Sequence, residues 1–323
     1  MRQVDAAVIG FGKGGKTLAG ALAAAGKTVA LVEKSPKMYG GTCINVACIP
    51  TKSLVHSAAL SAAQGGTFSE RAARYATAID EKDRVTSLLR GKNYRKLADL
   101  PNVEVVDGSA SFADATHLTV AKPDGTRETI EAAQAFINTG ARPFVPPIPG
   151  VDGPRVHVSE TLLDVRTLPE RLVIIGGGVV GVECASIYHC LGCEVTVLEA
   201  ADHILPFMDR EIAQRLTMIL KKKGVKVEAK ASVQKITGIP GEMTVTYTDK
   251  KGAEHTVTAQ GVLAAAGRKA NLDGLFGPDF SLELDRGAVV GDDMGRTSVP
   301  HVYVIGDAKA KNIQLAHVAS AQG

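Results

Sequence analysis

The sequence is poor in aromatic residues and in net charge. Its 323 residues include no tryptophan and only 4% aromatic residues, against 34 glycines, which fits a fold with many tight turns between helices and strands. The 37 basic and 34 acidic residues leave a net charge of +3, and the two signs are interleaved along the chain. A charge this small, without a basic cluster, argues against a nucleic-acid partner.

Long apolar runs and abundant cysteines are also missing. No stretch reaches the roughly 20 apolar residues that a membrane-spanning helix needs, and the apolar run at residues 4–9 is too short for the core of a signal peptide. Five cysteines with one close pair do not make the disulfide framework of a small secreted protein. We therefore expect a cytoplasmic protein without membrane contact, large enough for two or three domains.

A strand, a glycine-rich turn, a helix and a second strand open the chain. The predicted segments are, in that order, residues 4–9, the turn GFGKGG at 10–15, a helix to about residue 25 and a strand at 28–32. A dinucleotide-binding fingerprint requires this context, because the helix N-terminus then faces the phosphates. Gly10 makes the tight turn, Gly12 lets the backbone approach a pyrophosphate, and Gly15 lets the helix pack on the strand. Glu33, 21 residues after Gly12, stands where a carboxylate accepts hydrogen bonds from a ribose.

The same pattern returns after a proline-rich stretch. Residues 144–150, FVPPIPG, are the best linker candidate in the chain. Beyond them a strand at residues 172–175 leads into the turn GGGVVG. Gly176 follows Gly10 by 166 positions, and Glu199 follows Glu33 by the same 166. Identical internal spacing argues against chance, so the sequence predicts two dinucleotide-binding units.

Between the two fingerprints lies the segment GGTCINVACIPTK, residues 40–52, which we call the cysteine segment. Cys43 and Cys48 are five positions apart, and in a regular helix their Cα atoms would be about 8.6 Å apart. A disulfide needs roughly 4.4–6.8 Å. If the two cysteines join, the backbone between them must be distorted, and Pro50 helps by removing a helical hydrogen bond. A strained disulfide is easier to reduce, so we interpret the segment as redox chemistry rather than as a stapled loop.

Other polar features are interpreted as structural. A charge-rich helix is predicted at residues 71–97, and its charged residues read as a solvated surface. Cys190 and Cys193 have CxxC spacing, but Gly192 should end a helix between them, and no second cysteine or histidine pair offers further metal ligands. Cys184 is predicted to lie in the core. We expect no metal site.

These motifs resemble those of the flavin-dependent pyridine nucleotide–disulfide oxidoreductases. That family includes dihydrolipoamide dehydrogenase, glutathione reductase, mercuric reductase and the reactive-chlorine-resistance oxidoreductases, and the resemblance covers essentially the whole chain. GFGKGGKTLA at residues 10–19 and CINVACIPTK at 43–52 look most like the reactive-chlorine-resistance subgroup. The second half, including Leu315, Ala316 and His317, looks more like dihydrolipoamide dehydrogenase.

The resemblance implies an α/β fold with two Rossmann-like domains, the second inserted in the first. The expected FAD-binding domain covers residues 1–148 and 268–323, and the expected NAD-binding domain covers 149–267. Residues implied to hold the ADP half of FAD are Gly10, Gly12, Gly15 and Glu33, with Ala110 near the adenine. Thr139 and Gly140 would line the crossover back to the flavin domain. Asp307 would bond the ribityl chain, with a helix N-cap as the alternative, and His317 matches a flavin-proximal position, with a helix start as the alternative.

The second fingerprint is implied to hold a nicotinamide dinucleotide through Gly176, Gly178, Gly181 and Glu199. Glu199 is followed by alanines rather than arginines, which suits a free ribose hydroxyl and would repel a 2′-phosphate, so NADH is favoured over NADPH. Val179 replaces the aromatic gate of some members. Further cofactor-binding positions implied by the family pattern are Gly14, Lys34, Gly41, Thr42, Lys52, Val180, Val233, Gly267, Gly306, Leu315 and Ala316.

The resemblance also implies the redox roles. Cys48 would be the thiol against the flavin and Cys43 the outer thiol that attacks the substrate. Lys52, paired with Glu183, would lie by the flavin N5. Without the family pattern, Glu183 would be interpreted as a solvated helix residue. Hydride would pass from NADH to FAD, then as two electrons to the cysteine pair and on to a substrate disulfide by thiol exchange, and the lipoamide reaction runs in reverse.

Two departures from the family pattern affect these expectations. Ala47 stands where many members have glycine, which is tolerated if its φ is negative. Family members also continue into a dimerisation domain whose His–Glu pair protonates thiols across the subunit interface, a segment that would lie beyond residue 323. We therefore expect a homodimer of a longer parent rather than of these residues, and impaired disulfide turnover if 323 residues are the whole protein.

The leading interpretation is an FAD-dependent oxidoreductase that passes electrons between NADH and a small dithiol or disulfide, most like dihydrolipoamide dehydrogenase. One alternative is a reductase of reactive chlorine species, hypothiocyanite or metal ions such as mercuric ion. The other is a flavin-binding fragment with no disulfide turnover, which passes electrons only to artificial acceptors.

Overall fold

The structure of the chain, a computed structural model, describes residues 2–323. In that range the helices are α1 (Lys13–Ala24), α2 (Thr42–Asn45), α3 (Cys48–Gln64), α4 (Phe68–Ala98), α5 (Ser159–Leu162), α6 (Val179–Cys190), α7 (Arg210–Lys223) and α8 (Ala316–Gln322). The first strands are β1 (Arg2–Ile9), β2 (Val29–Glu33), β3 (Val103–Asp107), β4 (Ser109–Phe112), β5 (His117–Ala121), β6 (Arg127–Ile137), β7 (Ala141–Pro143), β8 (Val156–His157), β9 (Arg171–Ile175) and β10 (Glu194–Glu199). The later strands are β11 (Lys226–Ala229), β12 (Ser232–Ile239), β13 (Glu242–Thr248), β14 (Glu254–Ala259), β15 (Gly261–Ala264), β16 (Arg268–Ala270), β17 (Leu284–Asp285), β18 (Ala288–Val289) and β19 (Val302–Val304).

The chain divides into two compact units. The first unit consists of the chain up to Ile49, Val85–Arg142 and Arg268–Gly323. The second unit consists of Pro50–Arg84 and Pro143–Gly267. The first unit is therefore discontinuous in sequence. Residues 50–84, which the sequence analysis put in the FAD-binding domain, group with the second unit, and the cofactor assigned to each unit stays a prediction.

The first unit is built on a mostly parallel sheet with strand order β3-β2-β1-β6-β5-β4. Strands β3, β2, β1 and β6 are parallel, whereas β5 and β4 continue the sheet in antiparallel pairs. The second half of β6 also pairs in parallel with β19. Strand β1 is central and its residues Ala6 to Ile9 are buried, which explains why this stretch is apolar on both faces.

The second unit repeats this arrangement around β9. Its parallel sheet has the strand order β11-β10-β9-β15-β8, and a separate antiparallel sheet has the order β12-β13-β14. In both units the fingerprint strand pairs with the next strand on one side and with a much later strand on the other. The two fingerprint turns thus follow β1 and β9 at the point where the strand order reverses, which is where doubly wound folds bind ligands. The expected fold class, two Rossmann-like units, is confirmed.

The charge-rich helix α4 differs from its predicted role as a solvated surface. Lys82 is almost fully buried, and its ammonium donates to the Leu163 carbonyl at 2.9 Å and to the Asp164 carboxylate at 2.7 Å. Arg90 donates to the Asn45 side chain at 2.8 Å. The prediction is wrong for these residues, because a charged side chain can be buried where carbonyl and carboxylate oxygens receive its donors, and one helix's sequence does not reveal those partners.

Between residues 2 and 323, no helix is both long enough and apolar enough to cross a membrane.

Candidate active site

The first fingerprint turn can be built only from glycine at two points. Gly10 has a φ of +108°, and a Cβ on it would lie 2.4 Å from the Asn138 carbonyl oxygen. A Cβ on Gly15 would lie 2.3 Å from the Gly10 carbonyl oxygen. The Asn138 side chain also donates to that carbonyl at 2.9 Å. The turn is therefore packed against the end of β6 and held in one conformation.

The second fingerprint turn repeats these contacts. Gly176 has a φ of +110°, and its Cβ would lie 2.4 Å from the Ala265 carbonyl oxygen. A Cβ on Gly181 would lie 1.9 Å from the Gly176 carbonyl oxygen. At Gly178 a Cβ would meet no heavy atom of the described residues within 4 Å, and the neighbouring Val179 is 55% exposed. The turn of the second unit is therefore fixed on its inner side and open at its tip.

Each unit also has a buried glutamate that holds its turn. The Glu33 carboxylate accepts hydrogen bonds from the Phe11 N–H at 2.9 Å and the Ser35 N–H at 3.1 Å. The Glu199 carboxylate accepts from the Gly177 N–H at 2.5 Å and the Ala201 N–H at 2.7 Å. Burial raises the pKa of Glu33, and the backbone donors offset part of that rise. An ionised carboxylate can accept about four hydrogen bonds through its two oxygens. The carboxylates of Glu33 and Glu199 therefore each retain acceptor capacity.

The helices that follow the two turns begin without a side-chain cap. Gly12 is the N-cap of α1 and Gly178 the N-cap of α6, and within the described chain neither helix has a side-chain hydrogen bond at this end. Helix α7 differs, because the Asp209 side chain accepts from the N–H groups of Glu211 and Ile212. The first N–H groups of α1 and α6 are therefore available to an anion.

The cysteine segment contains the distortion that the five-residue spacing requires. Helix α2 ends at Asn45 and α3 begins at Cys48, so Val46 and Ala47 interrupt the helical path. Val46 has φ and ψ angles of −139° and 6°. Ala47 is not among the residues with positive φ in the described chain, which is the condition under which alanine is tolerated there in place of glycine. Pro50 lies in the first turn of α3 and has no N–H that could bond to the carbonyl of Val46, where the helical path is interrupted. Its position is compatible with its expected contribution to the distortion.

Cys43 and Cys48 are adjacent thiols in different environments. Cys43 is half-buried and Cys48 is exposed. A hydrogen bond between the two thiols, together with burial, raises the pKa of Cys43 above the ordinary cysteine range, while the cations of Lys13 and Lys16 act in the opposite direction.

The cysteine segment is packed directly on the first fingerprint turn. Gly41 has φ and ψ angles of 77° and −171°, a conformation essentially restricted to glycine. A Cβ on it would lie 2.5 Å from the Cα of Gly12. Asn45 donates to the Gly41 carbonyl at 2.9 Å and accepts from Arg90. The turn and the two thiols are thus held together within the first unit.

In the second unit, Lys52 and Glu183 form an ion pair between α3 and α6. The Glu183 side chain is 28% exposed, so it is not the fully solvated helix residue that its sequence position alone would suggest.

Thr139 and Asp307, both in the first unit, have polar side-chain groups that are largely buried. The Thr139 hydroxyl is buried, and among the described residues no hydrogen-bond partner is found for it. Burial raises the pKa of Asp307, and the Arg268 cation opposes that rise. The interpretation of Asp307 as a helix N-cap is wrong, because Asp307 is the middle residue of the 3-10 turn Gly306–Ala308, whose N-cap is Ile305.

The C-terminal segment also lies at the first turn. A Cβ on Gly14 would lie 2.7 Å from the Ala319 carbonyl oxygen, and one on Gly306 would lie 3.1 Å from the Ala319 side chain. His317 is exposed in the first turn of α8, which fits its alternative interpretation as a helix-start residue. The candidate residues that lie in the first unit are Gly10, Gly12, Gly14, Gly15, Glu33, Lys34, Gly41, Thr42, Cys43, Cys48, Ala110, Thr139, Gly140, Gly306, Asp307, Leu315, Ala316 and His317.

The candidate residues that lie in the second unit are Lys52, Gly176, Gly178, Val179, Val180, Gly181, Glu183, Glu199, Val233 and Gly267. Val233, on β12, packs against a core cluster of that unit. At Gly267, with a φ of +117°, a Cβ would meet no heavy atom within 4 Å in the part of the chain that the structure describes.

The remaining cysteines belong to the second unit. Cys184 and Cys193 are buried, and burial raises the pKa of each thiol to about 12. A thiol that stays protonated is a poor nucleophile and metal ligand, so their environment fits the structural interpretation. Cys190 is half-buried at the end of α6.

One group of residues was missed by the sequence analysis. Lys13, Lys16 and Lys96 line a cavity of about 440 Å³ in the first unit, together with Asn93. Lys16 donates to the Asn93 side chain. The two lysines of the fingerprint turn were visible in the sequence, but their partners lie about 80 positions further on in a helix that was read as solvated.

This combination of two dinucleotide turns and a thiol pair agrees with the family comparison. The model of the family described as pyridine nucleotide-disulphide oxidoreductase matches residues 4–323. The chain belongs to this family and is an oxidoreductase by class.

Individual relatives are similar over nearly the whole chain. A protein of Escherichia coli described as probable pyridine nucleotide-disulfide oxidoreductase RclA is 41% identical over 322 residues, covering 99% of this chain and 69% of the relative. A dihydrolipoyl dehydrogenase of Acholeplasma laidlawii is 34% identical over 333 residues, covering 100% of this chain and 94% of the relative. A solved structure of the Cu(II) complex of the HOCl-induced flavoprotein disulfide reductase RclA from E. coli has a TM-score of 0.90 and 38% identity, over 100% of this chain and 69% of that one.

Proposed function

We propose that this chain is an FAD-dependent oxidoreductase that passes electrons from NADH to a small disulfide or related oxidant through Cys43 and Cys48. The observation that carries the proposal is the packing of the cysteine segment on the first fingerprint turn, with Gly41 against Gly12. This contact joins a dinucleotide-binding turn to a redox-capable thiol pair.

The first unit has groups that fit FAD. The uncapped N-terminus of α1 offers N–H donors to a pyrophosphate, and the Glu33 carboxylate has spare acceptor capacity for ribose hydroxyls. The Thr139 hydroxyl is buried and has no hydrogen-bond partner among residues 2–323, as expected of a group that hydrogen-bonds to a bound molecule. The flavin, when bound, would relay the two electrons of NADH to the cysteine pair.

The second unit has groups that fit NADH. The open tip of its turn at Gly178 and the uncapped N-terminus of α6 suit a second pyrophosphate. The buried carboxylate of Glu199 suits ribose hydroxyls and would repel a 2′-phosphate. Ala200, the next residue, carries no positive charge that could offset the repulsion of a 2′-phosphate. We therefore propose NADH as the electron donor rather than NADPH.

The cysteine pair would reduce a disulfide in two exchanges. The Cys43 sulfur, once its proton has left, attacks one substrate sulfur, so that a mixed disulfide forms, the substrate S–S bond breaks and one substrate thiolate leaves. The Cys48 sulfur then attacks the Cys43 sulfur, which forms the Cys43–Cys48 disulfide and releases the second substrate thiolate. The two protons that the cysteines give up complete the two product thiols. Two electrons and one proton from NADH, with one proton from solvent, return the cysteine pair to the dithiol. Lys52, held by Glu183, is proposed as the cation beside the reduced flavin.

The substrate is proposed to be a small molecule, and two relatives suggest different candidates. The 41% identity to the E. coli RclA protein favours reduction of an oxidant or disulfide, and the 34% identity to a dihydrolipoyl dehydrogenase favours lipoamide as the second candidate. The cytoplasm is the proposed location.

A substrate panel tests the proposal. NADH consumption is measured with lipoamide, glutathione disulfide, hypothiocyanite and mercuric ion, with Cys43→Ser as the control at each substrate. We expect at least one substrate whose reduction is lost in the Cys43→Ser protein. Equal rates in both proteins, or turnover only with artificial acceptors, would contradict a role for the cysteine pair and support the flavin-binding fragment.

A further inference from the structure

One face of α4 contacts the residues around the start of the cysteine segment at three points. Arg90, Asn93 and Tyr94 lie on this face, because positions three and four apart meet on the same side of a helix. All three residues are half-buried. The contacts described below lie within the first unit.

The contact between Arg90 and Asn45 is a chain of hydrogen bonds. The Arg90 Nε donates to the Asn45 Oδ1 at 2.8 Å. The Asn45 Nδ2 in turn donates to the backbone carbonyls of Tyr39 at 3.0 Å and of Gly41 at 2.9 Å. A hydrogen bond from a charged donor is stronger than one between neutral groups. Arg90 therefore fixes the amide that ties the end of α2 to the residues before its start.

The other two contacts hold the residues just before α2. A Cβ on Gly40 would lie 3.3 Å from the Asn93 side-chain carbon Cγ. The rings of Tyr39 and Tyr94 have their centroids 4.7 Å apart, and the Tyr39 hydroxyl donates to the Asp107 carboxylate at 2.6 Å. The start of the segment is thus anchored independently of Asn45.

Asn45 stands at the point where the helical path is interrupted. It is the last residue of α2, and Val46 and Ala47 separate it from α3. A regular helix would place the Cα atoms of Cys43 and Cys48 about 8.6 Å apart, whereas a disulfide needs roughly 4.4–6.8 Å. A loop that is already held in the interrupted conformation loses less backbone freedom when the disulfide forms.

We propose that Arg90 is a positioning residue that acts through Asn45 and stabilises the Cys43–Cys48 disulfide relative to the dithiol. The inference rests on the proposed function for the redox role of the two cysteines. Without the Arg90 guanidinium, the dithiol form gains backbone freedom, whereas the S–S bond still restrains the loop in the disulfide form. The disulfide therefore becomes easier to reduce when Arg90 is replaced.

The test measures the equilibrium of the purified protein with glutathione, under anaerobic conditions and without NADH. The two cysteine thiols give two electrons and two protons to glutathione disulfide, so that the Cys43–Cys48 bond forms and two glutathione thiols are released. The reaction is stopped with acid at a series of ratios of glutathione to glutathione disulfide. Alkylation of the remaining thiols and peptide mass spectrometry then give the fraction of intramolecular disulfide and its equilibrium constant.

Four variants separate positioning from other effects. Arg90→Met removes the donor, and Arg90→Lys keeps a charged donor. Arg95→Met is the matched control, because Arg95 is exposed on the same helix and, in the described part of the chain, has no hydrogen bond to the cysteine segment. Asn45→Ala, alone and combined with Arg90→Met, tests whether Arg90 acts through Asn45.

We expect the equilibrium constant for disulfide formation to fall about tenfold in Arg90→Met, which corresponds to a rise of about 30 mV in the reduction potential. Arg90→Lys should restore most of the loss, and Arg95→Met should match the wild type. The combined variant should equal Asn45→Ala alone, because the amide through which Arg90 acts is then already missing.

Three results would overturn the proposal. The first is an unchanged constant in Arg90→Met, even with lower stability in urea, because Arg90 would then support only the fold. The second is an equal fall in Arg95→Met. The third is a further tenfold fall on adding Arg90→Met to Asn45→Ala, because the charge would then act on the thiols directly. If Asn45→Ala does not fold, the comparison of Arg90→Met with Arg95→Met decides.

The wild-type protein separates this inference from the proposed function. If it forms no Cys43–Cys48 disulfide at any glutathione ratio, the proposed function is contradicted and this inference falls with it. If the wild type forms the disulfide and Arg90→Met has the same equilibrium constant, the proposed function stands and only the positioning role of Arg90 is contradicted.

Discussion

At the scale of single residues, Cys43 and Cys48 lie in different environments. Cys43 is half-buried and Cys48 is exposed, and the hydrogen bond between the two thiols, together with burial, raises the pKa of Cys43. We propose Cys48 as the thiol that faces the flavin and Cys43 as the thiol that attacks the substrate. These different roles give the two cysteines different mutant phenotypes.

We predict that Cys43→Ser shows a long-wavelength thiolate-to-flavin absorbance while its flavin is oxidised, whereas Cys48→Ser does not. Both proteins should keep FAD, because neither sulfur is among the groups that fit its ADP half. The visible spectrum after anaerobic addition of dithionite and back-titration with oxidant checks this. Persistence of the band in Cys48→Ser would reverse the assignment of the two thiols.

Glu199 carries the second prediction at this scale. Its carboxylate holds two backbone N–H groups and, if the second unit binds NADH, repels a 2′-phosphate. Glu199→Gln removes the charge but keeps one acceptor oxygen for the turn. We expect the preference for NADH over NADPH, measured as the ratio of kcat/KM values, to fall by at least roughly fivefold, as for loss of one unit-charge repulsion at contact distance in water. An unchanged ratio would show that the carboxylate does not face the ribose.

At the scale of elements, the close contact between the cysteine segment and the first fingerprint turn depends on Gly41. We predict that Gly41→Ala lowers the free energy of unfolding by about 3 kcal/mol, because its Cβ would meet the Gly12 backbone in a conformation that only glycine adopts. FAD retention should fall with it. Urea unfolding and the flavin absorbance of the purified protein measure the two effects.

Gly26→Ala is the matched control for this prediction. Gly26 has nearly the same φ, +78°, but a Cβ there would meet no heavy atom of residues 2–323 within 4 Å. Its cost should be about 1 kcal/mol, the strain of a left-handed alanine alone. Equal losses in the two variants would mean that backbone conformation, and not the contact with Gly12, sets the requirement for glycine.

The elements that sequence patterns predicted well are those with strong local signals. The fingerprint strands and helices and the distortion between Cys43 and Cys48 were all expected, because glycine spacing, apolar runs and disulfide geometry act over a few residues. Partners distant in sequence were not expected. Three hydrogen-bonded pairs join residues at least 45 positions apart, namely Lys82 with Asp164, Arg90 with Asn45 and Lys16 with Asn93. A local sequence pattern does not predict such pairs.

At the scale of the whole molecule, two units repeat one architecture. The buried glutamates, the uncapped helices and the glycine contacts recur at a spacing of 166 residues, and in each unit the fingerprint strand is flanked by its successor and by a much later strand. Sequence spacing alone predicted this repetition. It did not predict that residues 50–84 group with the second unit, since that depends on tertiary packing rather than on local pattern.

For the whole protein, we expect NADH to reduce a thiol pair that lies beside a flavin. An anaerobic titration of the purified protein with NADH, followed by its visible spectrum, tests this most directly. The account predicts a yellow protein in which NADH produces a long-wavelength charge-transfer band as the cysteine pair becomes a dithiol. Bleaching of the flavin without that band, or a colourless protein that does not retain FAD, would contradict it.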